Sequence, residues 1–175
     1  MVELSASEVL TVVAEISIAL AGFAGVVAAF RQRGLEALPP HEQLRLRYML
    51  LVACAALLFA LLPFVPHYLR LGASATWTLS SGTLALGLLS LVLAIYVEGS
   101  KPQARQLSRA WMYSYQTGAS LAAVAQLLNC FGAFGEVLPG VYLAGLGFLL
   151  FYATSLFVRL VLSNSSPTGA SSPDA

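Results

Sequence analysis

An all-α membrane protein, built as a bundle of five transmembrane helices with its N-terminus outside and its C-terminus cytoplasmic, is the fold class this sequence predicts. Three observations carry that reading. Of 175 residues, 58% are hydrophobic and only 10% charged, where a soluble domain carries about a quarter charged residues. Five windows, 9–30, 48–69, 76–97, 111–134 and 137–162, each supply the roughly 20 mainly apolar residues that a spanning helix needs. Finally, the basic residues are placed between those windows in a way that favours five spans over four.

Arg31, Arg33, Arg45 and Arg47 flank the first connection, Lys101, Arg105 and Arg109 the third, and Arg159 lies near the end of the last window. Five spans put these eight on one face and leave Arg70 alone on the other. Basic connections stay in the cytoplasm, which orients the chain and places it in the inner (plasma) membrane. Four spans would split the basic connections between the two faces. Eight Arg against one Lys suggests a GC-rich, bacterial origin.

Each window has its own boundary signals. The first is preceded by Met-Val-Glu-Leu-Ser, which has no basic run of the kind that opens a secretory signal. Pro39-Pro40 and Pro102 lie about two turns before the second and fourth windows, where proline suits a helix start. Those two helices are therefore expected to begin as basic turns at the cytoplasmic surface. Pro63 and Pro66 predict a short helix break at the outer end of the second window, with backbone carbonyls set free. Trp77, Trp111, Tyr48, Tyr68, Tyr96 and Tyr113 stand near window ends, as an aromatic belt requires. Residues 163–175 are small, polar and Pro-containing, which predicts a disordered tail after a membrane domain over 1–162.

Composition also narrows function. A net charge of +1 leaves no basic surface for nucleic acid. Cys54 and Cys130 form no CxxC and lie at different depths, so they read as small core residues, neither a zinc site nor a disulfide. No nucleophile elbow, P-loop, HExxH or GxGxxG occurs. The expectation is a non-enzymatic protein without metal or cofactor, embedded in the lipid bilayer and assembled as a homo-oligomer or with a membrane partner protein.

Two patterns single out residues. In the first window Ala14, Ser17, Ala21, Ala24 and Ala28, with Gly25 beside them, form a small-residue stripe suited to close helix packing. Off that stripe, next to Ala19 and Gly22, stands Glu15, the only acid well inside a window and ~9 Å below its outer boundary at the helical rise. In the fourth window Tyr115, Ala119, Ala122, Gln126 and Asn129 share one face, while Leu121, Val124, Leu128 and Phe131 share the other. Gln126 and Asn129 come to the depth of Glu15, as do Ser80, Ser81, Thr83 and Tyr142, with His67 close to the outer surface. Together Glu15, Gln126, Asn129, Tyr142 and His67 make the candidate proton, ion or ligand site.

This outer-half layer has two readings. As structural glue, a neutral Glu15 would bond Gln126 or Asn129 for ~0.6–2 kcal/mol. As a working site, it would make the chain a small channel or proton-coupled transporter subunit, because intramembrane carboxylates mark such pathways. The stretch Val13-Ala14-Glu15-Ile16-Ser17 resembles the setting of the lone first-span carboxylate in small multidrug-resistance transporters. That likeness spans five residues of a longer chain with one more span, and implies only what a single buried carboxyl can do. The alternative is an accessory or assembly protein that docks a partner through its small-residue faces and basic connections.

Overall fold

A computed structural model describes residues 5–33, 40–99, 109–134 and 138–163, and every regular element among them is helical. In chain order these are α1 (Ala6–Arg33), α2 (Pro40–Leu61), α3 (Phe64–Tyr68), α4 (Ala73–Gly99), α5 (Arg109–Cys130) and α6 (Pro139–Ser163). The tail beyond 163 and the segment holding Pro102 lie outside the described residues.

Local chemistry accounts for the boundaries. Ser5 and Glu8 close a capping box on α1: the Ser5 N–H donates to Glu8 Oε2 at 2.8 Å and the Glu8 N–H to Ser5 Oγ at 3.3 Å. Two orphan N–H groups of the first turn are thereby satisfied. Pro40 is the first residue of α2, a position whose missing N–H costs nothing. The same missing N–H ends α2 at Leu61, because Pro63 cannot donate to the carbonyl of Phe59 four residues back. The break expected from Pro63 and Pro66 is present, and α3 is the single turn beyond it.

Two helices end in one motif. After α5, the Gly132 N–H bonds Asn129 O at 3.1 Å and the Ala133 N–H bonds Leu128 O at 2.9 Å. After α3, the Arg70 N–H bonds His67 O at 3.0 Å and the Leu71 N–H bonds Pro66 O at 3.1 Å. Both are Schellman closures, which need a left-handed residue at the first position past the cap. Gly132 takes φ 68° and Arg70 takes φ 56°. Glycine adopts that conformation freely, whereas a residue with a Cβ meets the carbonyl that follows. Gly132 also corrects the expected fourth window, which ran to 134: the helix stops at Cys130.

Four helical segments are long and apolar enough to cross a membrane, at Ala6–Ala29, Glu42–Tyr68, Ala73–Val97 and Pro139–Leu162. The fifth long helix, α5, is more polar, but its polarity is one-sided. Tyr115, Ala119, Ala123, Gln126 and Asn129 are buried, while Leu121, Val124, Leu128 and Phe131 are exposed. That division follows the sequence pattern except at one position, where Ala123 is buried and the expected Ala122 is half-buried.

The bundle is organised around α6, which packs against α1, α2, α4 and α5. To one side α1 pairs with α2, and to the other α4 pairs with α5. The seam joining them is aliphatic, with Val52, Ala53 and Ala56 of α2, Leu84 and Leu88 of α4, and Leu146, Leu149 and Ala153 of α6 all buried. Ala14, Ser17 and Ala24 of the small-residue stripe are buried in it, Ala21 and Ala28 are half-buried, and Gly25 is exposed. Only 17% of the α1 span is buried, against 39% for α4 and for α6. Cys54 is exposed on α2, against the expectation of a core residue, because Ala53 and Ala56 hold the inward face there.

The αL position of Arg70 makes a prediction. Arg70→Gly relieves the strained turn, and thermal or denaturant unfolding in detergent is expected to show a gain of ~0.5–1 kcal/mol. A loss of stability would mean that the guanidinium holds the turn together.

Candidate functional site

The alternation of helix directions brings the start of α1, the end of α2, α3, the start of α4, the end of α5 and the start of α6 to one end of the bundle. Near that end, about 12 Å into α4 at the helical rise, lies a polar layer, with Ser81, Gln126 and Asn129 at the α4–α5–α6 junction and Tyr142 between α6 and α2. These four and Ser80 on α4 are all buried.

Asn129 is its centre. Its Nδ2 donates to Ser81 Oγ at 2.9 Å and to Leu138 O at 3.1 Å, and its Oδ1 accepts from the Leu138 N–H at 2.9 Å. One side-chain amide thus holds both backbone polar groups of the residue that precedes α6. Gln126, one turn earlier, donates through Nε2 to Val141 O at 2.6 Å. These bonds tie the end of α5 to the start of α6; the Leu138 N–H has no partner within the helix, while the Leu138 and Val141 carbonyls gain a second donor beside the one the helix supplies. The absence of a side chain at Gly145 makes room for this: a Cβ there would fall 2.6 Å from Gln126 Nε2 and 3.0 Å from Leu84 Cδ2. Ser80 Oγ and Gln126 Oε1 are the buried polar atoms of the layer with no hydrogen-bond partner among the described residues.

Tyr142 closes the other gap. Its hydroxyl donates to Phe59 O, the carbonyl that loses its helical donor because residue 63 is proline. The Trp77 ring tilts against Tyr142 with centroids 5.8 Å apart, so α4 backs the same contact. A second polar link crosses the α5–α6 seam further along, where the Tyr115 hydroxyl donates to Ser155 Oγ at 2.7 Å and Ser155 to Tyr152 O at 2.9 Å.

The structure therefore brings Gln126, Asn129 and Tyr142 together and leaves Glu15 and His67 apart from them. Glu15 is exposed on α1, on the far side of α6 from α5, with no polar partner among the described residues. The order of the helices sets Glu15 apart, because α1 packs on α2 and α6 while Gln126 and Asn129 point between α4 and α6. Ala19 and Gly22 flank Glu15 on the same open face, and a Cβ built at Gly22 would have no atom within 4 Å. Thr83, also expected at this level, bonds back to Leu79 O at 2.7 Å on an exposed surface. His67 is exposed beside a cavity of about 250 Å³ bounded by Leu10, Pro63, Phe64, Thr76 and Trp77. Among the described residues no three His, Cys, Asp or Glu side chains gather as a metal site.

Sequence reasoning missed the roles of Trp77, Ser155 and Arg70. Trp77 was legible only as a belt aromatic, and nothing in helical spacing pairs Tyr115 with Ser155. Arg70 carried a signal, since it follows Pro63 and Pro66 at the end of a single turn. No protein-family model, curated protein or solved structure matches the chain.

The hydrogen bonds of Asn129 set an expectation for mutation. Asn129→Ala leaves the Leu138 N–H without its partner and removes one of the two donors to the Leu138 C=O, which keeps the Val141 N–H at 3.2 Å, and is expected to cost ~1–3 kcal/mol. Glu15→Ala, by contrast, removes an exposed side chain and is expected to leave the unfolding of the isolated chain unchanged or slightly improved. Steric-trap or denaturant unfolding of the two variants would check both, and equal losses would contradict the assignment.

Proposed function

We propose that this chain is a five-span membrane subunit that works within a larger assembly, presenting the Glu15 face of α1 to another transmembrane element. The observation that carries the proposal is the position of Glu15. A carboxylate facing hydrocarbon costs ~2.5–3.5 kcal/mol on insertion scales, and here it has no polar partner among the described residues. A neighbouring helix that bonds the carboxyl removes this cost, and the small flanking residues Ala19 and Gly22 allow such a helix to come close. The low burial of α1, at 17% of its span, agrees with a face still to be covered.

The orientation follows from charge. Arg45, Arg47 and Arg159 belong to one end of the bundle and Arg70 to the other, which under the positive-inside rule puts Arg70 outside. With α5 counted as a span, the N-terminus is outside and the C-terminus cytoplasmic. The one-sided polarity of α5 supports that count, since its apolar face is turned outward along its length. An inner-membrane bacterial protein fits this distribution.

One observation favours a second reading, a proton- or ion-conducting subunit. Glu15 is the only acid well inside a span, and at an interface between subunits such a group can take up and release a proton. In this reading the pathway runs between protomers, because Gln126, Asn129 and Tyr142 are already committed to backbone groups.

Site-specific photo-crosslinking separates the readings. A photoreactive residue replacing Ala19 is expected to yield a discrete protein adduct, while one replacing Leu121 on α5 yields lipid adducts only. Proteoliposomes of the purified chain are expected to pass no protons, with or without Glu15→Gln. Lipid adducts alone at both positions would overturn the docking proposal. Proton flux abolished by Glu15→Gln would instead establish the second reading.

A further inference from the structure

At the end of the bundle where α1 begins, two cavities adjoin around Phe64, His67 and Ala73, which border both. They differ in chemistry. The inner one, about 250 Å³, lies between α1, α3 and α4 and is walled mainly by Leu10, Pro63, Phe64 and Trp77. The outer one, about 650 Å³ and open to the surface, adds Tyr68, Arg70 and Leu71. An apolar slot thus borders a recess that carries a guanidinium, a phenol hydroxyl and an imidazole.

We propose that these adjoining cavities bind one membrane lipid with an anionic headgroup, its phosphate held at Arg70 and His67 and its acyl chain laid against Trp77. A guanidinium offers forked donors that match phosphate oxygens. The imidazole of His67 has a ring N–H to donate in either charge state. Tyr68 is exposed beside them and places its hydroxyl at the level where amphipathic aromatics meet headgroups. Arg70 forms no ion pair with this chain among the described residues, so its charge is open to a ligand.

The backbone supplies an independent argument. The turn after α5 closes with glycine at its left-handed position, whereas the turn after α3 closes the same way with Arg70 at φ 56°. Arginine there is a strained choice where glycine serves the turn better. Retaining a guanidinium at that cost, on the one basic residue of this end, is accounted for by a role for the charge. This inference stands apart from the α1 face: it uses neither Glu15 nor a protein partner.

The same feature makes a clean test, because Arg70→Gly removes the charge while relaxing the turn. In a Trp111→Phe background Trp77 is the single tryptophan. The protein is placed in nanodiscs holding a small, equal mole fraction of either brominated phosphatidylglycerol or brominated phosphatidylcholine. Trp77 fluorescence is expected to be quenched more by the anionic lipid, corresponding to about five-fold local enrichment for one charge contact. Arg70→Lys is expected to keep the preference and Arg70→Gly to lose it. Equal quenching by the two lipids, or a preference that survives in Arg70→Gly, overturns the proposal. So does loss of the preference on adding millimolar inorganic phosphate at matched ionic strength, which would assign the recess to a free anion.

Discussion

A bilayer offers no water to a backbone group without a partner, so every interruption of a membrane helix has to be satisfied by the protein itself. In this bundle the interruptions fall at Pro63 and at the turn between α5 and α6. The polar side chains of the buried layer answer to those two places. Tyr142 bonds the Phe59 carbonyl that Pro63 leaves without a donor, Asn129 holds both polar groups of Leu138, and Gln126 bonds the Val141 carbonyl. Of these groups the Phe59 carbonyl and the Leu138 N–H lack a helical partner, while the Leu138 and Val141 carbonyls take a second donor. Tyr142 and Asn129 are thus caps that lie deep in the bundle, and Gln126 adds a tie between α5 and α6.

That assignment shapes the rest of the molecule. Because Tyr142 reaches α2 and Asn129 and Gln126 reach from α5, the start of α6 is held from both sides, and α6 becomes the helix around which the others pack. Aliphatic packing along Leu146, Leu149 and Ala153 then continues the seam where hydrogen bonds stop. Two ionisable side chains stay outside this scheme. Glu15 sits on the open face of α1, and Arg70 sits at a turn better suited to glycine. Residues that the fold does not use, and that carry a local cost, are where interaction with lipid or with a partner is to be sought.

Much of this was legible in the sequence. Apolar length located the helices, Pro40 and Pro63 marked a start and a break, and the wheel of α5 separated its buried polar face from its exposed apolar one. What a linear pattern lacks is the order of helices around the bundle, and that order turns Glu15 away from Asn129. The end of α5 was misplaced by four residues because Gly132 was read as part of a span, when its φ of 68° makes it a stop. Cys54 looked like core because it is small and apolar, yet the neighbouring alanines take the inward positions. The role of Arg70 required knowing its backbone angle, which no composition argument supplies.

The claim that the buried layer exists to cap interrupted backbone is tested most directly by a double-mutant cycle between Tyr142 and Pro63. Tyr142→Phe alone deprives the Phe59 carbonyl of its donor and should destabilise the folded state by ~1–2 kcal/mol. Pro63→Ala restores a backbone N–H that can serve that carbonyl, so in its background the cost of Tyr142→Phe should fall close to zero. An equal cost of Tyr142→Phe in both backgrounds would contradict the account, because the hydroxyl would then be serving something other than the gap that proline makes.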